Sequence, residues 1–173
     1  MVLYTPAYQP TGSEVAVIKT SKGDIRVRLA GKDAPIHVGN FVELARKGFY
    51  NNLKFHRYEP GFVIQGGCPN TKNLSSEEVI KGGTDPEPGT GGPGYTIRGE
   101  WMNNPNNHHN DGSLAMARSS DPNSAGSQFY FCLGPQGFLD PNYTVFGEAA
   151  DAQSLVVIHS LYKGDTIYSI EIH

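Results

Sequence analysis

Apolar residues in this chain come in short bursts that alternate with polar ones and are divided by turn residues, and no segment joins them into long helical runs. Ile25, Val27 and Leu29 alternate with Arg26 and Arg28, and Tyr168, Ile170 and Ile172 alternate with Ser169, Glu171 and His173. A period of two marks a strand with one buried face. Residues 15–20 and 25–30, joined by Ser21, Lys22, Gly23 and Asp24, read as a β-hairpin. Further strand candidates are residues 53–58, 62–65, 113–117, 127–133 and 144–148. Only two stretches carry helical spacing. In the first, Asp33 is the expected cap, Pro35 sits in the first turn, Val38, Phe41, Val42 and Ala45 recur on one face, and Lys47-Gly48 stops the helix. The second covers residues 149–161, with Leu155, Ile158 and Tyr162 expected on one side. Strands not regularly separated by helices exclude a doubly wound parallel sheet. An antiparallel barrel is the economical arrangement, because closure removes exposed edges.

At 173 residues the chain is expected to form one domain, large enough to bury roughly 70% of its unfolded surface without a disulfide or metal. Residues 1–13, with Pro6, Pro10 and Gly12, read as an N-terminal arm outside the core, and residues 14–173 as the domain. Between Gly66 and Gly112 lie many Gly, Pro and Asn residues with no period, and a stretch of that kind is usually functional or mobile.

A net charge of -3 excludes a polybasic nucleic-acid binder. No apolar run approaches the roughly 18 residues needed to span a bilayer, and the first 14 residues lack the pattern of a secretory signal. Cys68 and Cys132 make no disulfide framework; two free thiols or one isolated bridge are both open. Together these features give the expectation of a cytoplasmic protein.

Several motifs are set aside. Gly89-Thr90-Gly91-Gly92 lacks the Lys-Ser/Thr pair and helix of a phosphate loop. His108-His109 has no third ligand at metal spacing and reads as a solvated loop. Glu77-Glu78 and Asp85-Pro86-Glu87 lack calcium-loop spacing, and Ser127 lacks a hydrolase elbow.

Four segments are of a different kind: FHRYEPGFVIQGG (55–67), GTGGPGY (89–95), SLAMARSSDPNSAGSQFYF (113–131) and FLDPNYTVFGE (138–148). In this order they resemble the cyclophilin family of peptidyl-prolyl cis-trans isomerases, over residues 14–172. The short connection 48–53 and the run Met116-Ala117-Arg118-Ser119 are similar to its bacterial branch. The resemblance implies an all-β fold, a closed eight-stranded antiparallel barrel capped by two α-helices.

It also implies a reaction, rotation about the peptide bond before proline. The barrier is about 18–20 kcal/mol because the nitrogen lone pair is delocalised into the carbonyl. No bond is made or broken, so no cofactor or metal is expected; the catalyst must hold the twisted amide better than either planar form. The twisted nitrogen regains its lone pair, and the family's arginine donor to it maps to Arg57. The apolar slot for the proline ring maps to Phe62, Val63, Tyr130 and Leu139, with Phe138 and Tyr143 at the rim. Gln65 is expected to orient Arg57, and Gln128 the peptide backbone. Ala117 and Arg118 match the stretch whose main chain pairs with the residue before proline, the Arg118 side chain being left to solvent; Gly89 lines the neighbouring pocket.

Val63 stands where eukaryotic relatives often carry Met, Phe138 where many carry Trp, and Tyr143 where many carry His. Phe138 has no indole N–H to offer cyclosporin A, so weak binding of that ligand is expected. The segment 70–88 is longer than in compact bacterial relatives and is expected to overhang the second pocket. Expected partners are proline-containing peptides and flexible protein segments, with no nucleic acid and no membrane, and the chain is expected to be a monomer that assists folding. The alternative reading is a proline-peptide binding module with incidental turnover.

Overall fold

The computed structural model describes residues 2–173. Strands β1 (Val15–Thr20) and β2 (Gly23–Leu29) form the expected hairpin, with Thr20 opposite Gly23 and its hydroxyl closing the turn on the Gly23 carbonyl at 2.7 Å. Helix α1 (Pro35–Arg46) buries Val38, Phe41, Val42 and Ala45 as their spacing predicts. Asp33 does not cap it. The Glu100 carboxylate reaches in from a distant loop and accepts the N–H groups of Ile36 (3.0 Å) and His37 (2.8 Å). An anion at this end meets free backbone donors and the positive pole of the helix dipole.

The remaining elements are β3 (Leu53–Lys54), β4 (Arg57–Glu59), β5 (Val63–Gly66), α2 (Ser76–Lys81), β6 (Ser113–Met116), β7 (Phe129–Cys132), β8 (Val145–Ala149), α3 (Ala152–Ser160) and β9 (Thr166–Ile172). The strands form a single curled antiparallel sheet in the order β3-β9-β1-β2-β8-β6-β7-β5-β4. The protein is therefore mostly β, but among the described residues it has nine strands rather than eight and three α-helices rather than two.

The extra strand arises because residues 53–58 do not run as one. Phe55 N–H turns to the Asp165 carbonyl and His56 N–H to that of Gln65, so β3 pairs with β9 while β4 pairs with β5. The extra helix lies in the stretch that shows no period. Six residues are too few to display one, and the local signal is a capping box instead. The Ser75 hydroxyl accepts from Glu78 N–H, and the Glu78 carboxylate accepts from Ser75 N–H.

Two faces also differ from the alternation. In α3 the buried face is Ser154, Val157 and Ile158, and Tyr162, just past its end, is exposed, its ring tilted against that of Tyr58 with centroids 4.9 Å apart. In β9 the pairing with β1 slips between Lys19 and Thr20, so Ile167 and Ile170 face inward and Tyr168 turns out. A bulge of this type shifts the phase of a strand by one residue.

Residues 4–8 lie along α1, Leu3 bridges to Thr96, and Pro10 and Gly12 pack on Gly31. Tyr4 and Tyr8 pack against the core, the Tyr4 hydroxyl donates to Glu43, and the Tyr8 hydroxyl donates to Glu14. The main core is aromatic: Phe41, Tyr50, Phe55, Phe129, Phe131 and Phe146 are fully buried inside the curl of the sheet. A second, smaller apolar cluster of Val63, Ala115, Tyr130 and Cys132 lies on the opposite face of β5, β6 and β7.

Candidate active site

Strand register creates this second face. Across four adjacent strands, Arg57 (β4) is opposite Gln65 (β5), Gln65 is opposite Tyr130 (β7), and Tyr130 is opposite Ala115 (β6). Residues in such a row project to the same side. Their neighbours Ile64, Leu114, Phe129 and Phe131 project into the main core. Alternation thus divides one sheet into an inner face that holds the fold and an outer face that holds a site.

A cavity of about 260 Å³ opens on the outer face. Phe62, Val63, Tyr130 and Leu139 form its apolar walls, and Arg57, Gln65, Ala117, Arg118 and Tyr143 complete the lining. Phe138 lies outside the lining, 66% exposed, and stacks on Phe62 with ring centroids 5.8 Å apart. A larger cavity of about 620 Å³ adjoins it and shares Gln65, Ala117 and Arg118; Gly89 and Gln128 belong to this second cavity. All twelve expected site residues therefore gather at two adjoining hollows, with Phe138 on the rim.

The Arg57 guanidinium lies 5.8 Å from the centre of the Phe62 ring, and its Nε is 3.7 Å from a Glu59 oxygen. These contacts place it at the cavity mouth. Gln65 does not hold it, contrary to expectation: the Gln65 amide donates to Gln128 Oε1 at 3.0 Å. Gln128 in turn donates to the carbonyls of Gly89 (2.9 Å) and Gly91 (2.8 Å). Its amide braces the glycine-rich wall of the larger cavity rather than facing open space. Gly89 has φ +98, a conformation costly for any residue with a Cβ, and the Cβ would also lie 3.3 Å from the His56 ring. The Cys68 sulfur accepts from Gly89 N–H and Gly91 N–H beneath this wall. Both cysteines are free and buried.

Arg118 departs from the solvated side chain expected of it. Its guanidinium lies over the rings of Trp101 (5.3 Å) and Tyr143 (4.8 Å) and donates to the carbonyls of Asn142, Ser119 and Ser120. It forms a septum between the two hollows. Among the described residues neither the Arg118 backbone N–H nor its carbonyl has a hydrogen-bond partner, whereas Ala117 N–H is taken by the Gln128 carbonyl.

Burial keeps the groups around the slot uncharged. It raises the Tyr130 hydroxyl far above its ordinary range and pushes the Cys132 thiol up to about 12. Burial, together with the charges of Arg57 and Lys163, holds His56 down at about 4. The guanidinium of Arg57 thus borders a hollow whose floor is apolar and whose buried hydroxyl and thiol stay uncharged, with Arg118 on its far side.

The His108-His109 pair divides. His108 is exposed, but His109 is 1% exposed and not solvated as its sequence context predicts. Its ring lies between Tyr130 and Asp140. His109, Asp140 and Trp101 carry no local pattern, since their partners are 21 to 31 residues away for the histidine and reach Trp101 only through Arg118. Among the described residues no group of three or more His, Cys, Asp or Glu is arranged to hold a metal ion, and no helix is long and apolar enough to cross a membrane.

Comparison with known proteins places this architecture. The family described as cyclophilin type peptidyl-prolyl cis-trans isomerase/CLD matches residues 15–170. A peptidyl-prolyl cis-trans isomerase of Synechococcus elongatus is 45% identical over 157 residues, 91% of this chain and 94% of that protein. One from Helicobacter pylori is 45% identical over 155 residues, 90% of this chain and 84% of that protein. The crystal structure of a cyclophilin type isomerase of Cryptosporidium parvum, determined in the presence of the dipeptide Ala-Pro, matches with TM-score 0.74 at 28% identity. That match covers 92% of this chain and 98% of that one. The chain belongs to the cyclophilin type peptidyl-prolyl cis-trans isomerase family, and its activity is isomerisation of the X-Pro peptide bond.

Proposed function

We propose that the 260 Å³ hollow takes the proline ring and that Arg57 is the catalytic residue. The carrying observation is a guanidinium at the mouth of an open apolar slot on the outer face of the sheet. Phe62, Val63, Tyr130 and Leu139 surround the ring; burial of a group of that size contributes about 1.5–3 kcal/mol. The slot also removes water, which favours the charge-separated planar amide. As the amide twists, its nitrogen regains a lone pair, and the Arg57 guanidinium donates to it. The planar ground states have no such lone pair to accept the bond, so the interaction lowers the barrier selectively. The unpaired Arg118 backbone N–H and carbonyl bind the residue before proline in the manner of an added strand. Residues further from the proline enter the larger cavity.

That Cryptosporidium relative with Ala-Pro supports a substrate of proline-containing peptides and flexible protein segments. On this reading the protein acts as a cytoplasmic monomer assisting protein folding, residues 14–173 forming the isomerase domain and 1–13 an arm. We also read β3 and β4 as one bent strand, which reduces nine strands to eight and closes the barrel between β9 and β5. Phe138 offers no donor to cyclosporin A, so that ligand binds weakly.

A protease-coupled assay on an Ala-Pro-Phe type peptide tests the assignment of Arg57. The wild-type chain accelerates isomerisation, and Arg57→Ala loses about two to three decades of kcat/KM while retaining affinity for proline peptides. Equal catalysis by the two proteins refutes the role given to Arg57.

A further inference from the structure

A phenylalanine in the slot wall would need no partner; a tyrosine does. Tyr130 is 4% exposed, and a buried hydroxyl without a hydrogen bond is costly. Its partner is His109 Nε2 at 2.8 Å, with the two rings stacked 5.9 Å apart at 13°. On the other side, Asp140 Oδ1 lies 2.7 Å from His109 Nδ1 and also accepts the His109 backbone N–H at 2.7 Å. A carboxylate only accepts, so Nδ1 carries the ring proton. Burial disfavours the charged ring, against the opposing pull of Asp140, and the His109 pKa is lowered. In the neutral ring Nε2 is an acceptor, so the Tyr130 hydroxyl donates to it.

The position of Asp140 matters as much as its charge. It directly follows the single helical turn Gly137–Leu139, which carries Phe138 and the slot wall Leu139. The chain Tyr130–His109–Asp140 therefore joins a wall on β7 to a wall on a loop. The neighbouring Asn107 reinforces this, donating to the carbonyls of Asp140 and Tyr143 and accepting Val145 N–H.

We propose that His109 is a positioning residue for the isomerase reaction: it holds the Tyr130 hydroxyl away from the slot and, through Asp140, keeps the Leu139 wall in place. The Tyr130 ring packs with Val63, Ala115 and Cys132 and lines the slot, so a hydroxyl deprived of its His109 partner regains hydration by turning the ring toward the slot. A polar group turned into the slot displaces the proline ring. This inference rests on the slot assigned above.

The test is rescue. His109→Leu lowers kcat/KM for an Ala-Pro-Phe type peptide about tenfold, mostly through KM. His109→Leu/Tyr130→Phe recovers most of that loss, because no hydroxyl remains to be satisfied. His109→Gln, which keeps an acceptor, loses less than His109→Leu. Undiminished activity of His109→Leu, or a double variant no better than the folded single one, overturns the proposal. A residue that merely supported the fold would not be rescued by removing an oxygen. Should His109→Leu not fold, nitrogen NMR of the wild-type imidazole decides: a proton on Nδ1 and a bare Nε2 support the arrangement, and a proton on Nε2 overturns it. Failure of the slot assignment shows separately, as a protein with the hollow filled by Val63→Phe that isomerises like the wild type.

Discussion

The two adjoining hollows are built by different means. The smaller has a floor of strands and a rim of connections: Arg57, Val63, Gln65 and Tyr130 stand on β4, β5 and β7, fixed by ladder hydrogen bonds and the aromatic core behind them, while Phe62, Ala117, Arg118, Leu139 and Tyr143 close it from outside the strands. The larger is made largely by loops, with Gly89, Gly91, Ser119, Asp121, Asn123 and Ser124 among its lining. Strands hold a side chain closely, which suits a donor that must meet a transient lone pair. Loops change sequence and length without disturbing a core, which suits the choice of what flanks the proline. If the small hollow takes the proline ring as proposed, the difference divides chemistry from selectivity along the boundary between strand floor and loop, with Arg118 and the Gln65–Gln128 pair as the partition.

After the loss expected for Arg57→Ala, filling the small hollow makes the largest change. Val63→Phe adds bulk to a wall that is 2% exposed and lowers kcat/KM about 100-fold in the protease-coupled assay. A comparable addition at Ser124 in the larger hollow alters preference among peptides only a few-fold. Equal losses at the two positions would break the proposed division.

Next in size is a change in stability far from both hollows. Burial pushes the Glu14 carboxyl up, but hydrogen bonds from Tyr8, Thr11 and Gly12 outweigh it and hold it at about 2, below the ordinary 4.5. A lowered native pKa stabilises the folded state above the unfolded value. That contribution, about 2–3 kcal/mol, is lost as pH falls from near 5 towards 2. Urea unfolding at a series of pH values should show the loss, and Glu14→Gln should lower stability at neutral pH and flatten the profile. Any effect on peptide preference near pH 7 would mean that the arm and the hollows are coupled.

Cutting the partition comes third. Gln128→Ala removes the bonds to Gly89, Gly91 and Gln65. The expected loss in kcat/KM is about tenfold for long peptides that enter both hollows and a few-fold for short ones. A uniform loss would place Gln128 in the chemistry instead of the wall. Smaller still is the rim. Phe138→Trp adds an indole N–H and tightens cyclosporin A binding, measured by calorimetry, by about tenfold or less.

Segment 70–88 does not itself line the larger hollow, as an overhang would require. It acts one step back: Asn70 donates to Thr90 and to the Glu87 carbonyl, bracing the glycine-rich wall. Its helix α2 is not among the sequence expectations: six residues cannot show a period, and the one local signal for it is the Ser75–Glu78 capping box.

The chain by itself determined most of its strands, the face of α1 and, through the family resemblance of four ordered motifs, which side chains gather at the two hollows. Those features depend on period, on turn residues and on identities at fixed local offsets, all of which a linear text carries. Tertiary structure alone decided the break at Phe55-His56, the slip beside Tyr168, the Glu100 cap on α1, the septum of Arg118 between Trp101 and Tyr143, and the burial of His109. Each of these joins groups far apart in the chain, and a buried hydrogen bond or a stacked cation depends on where the backbone brings its partner, not on which residue stands next to it.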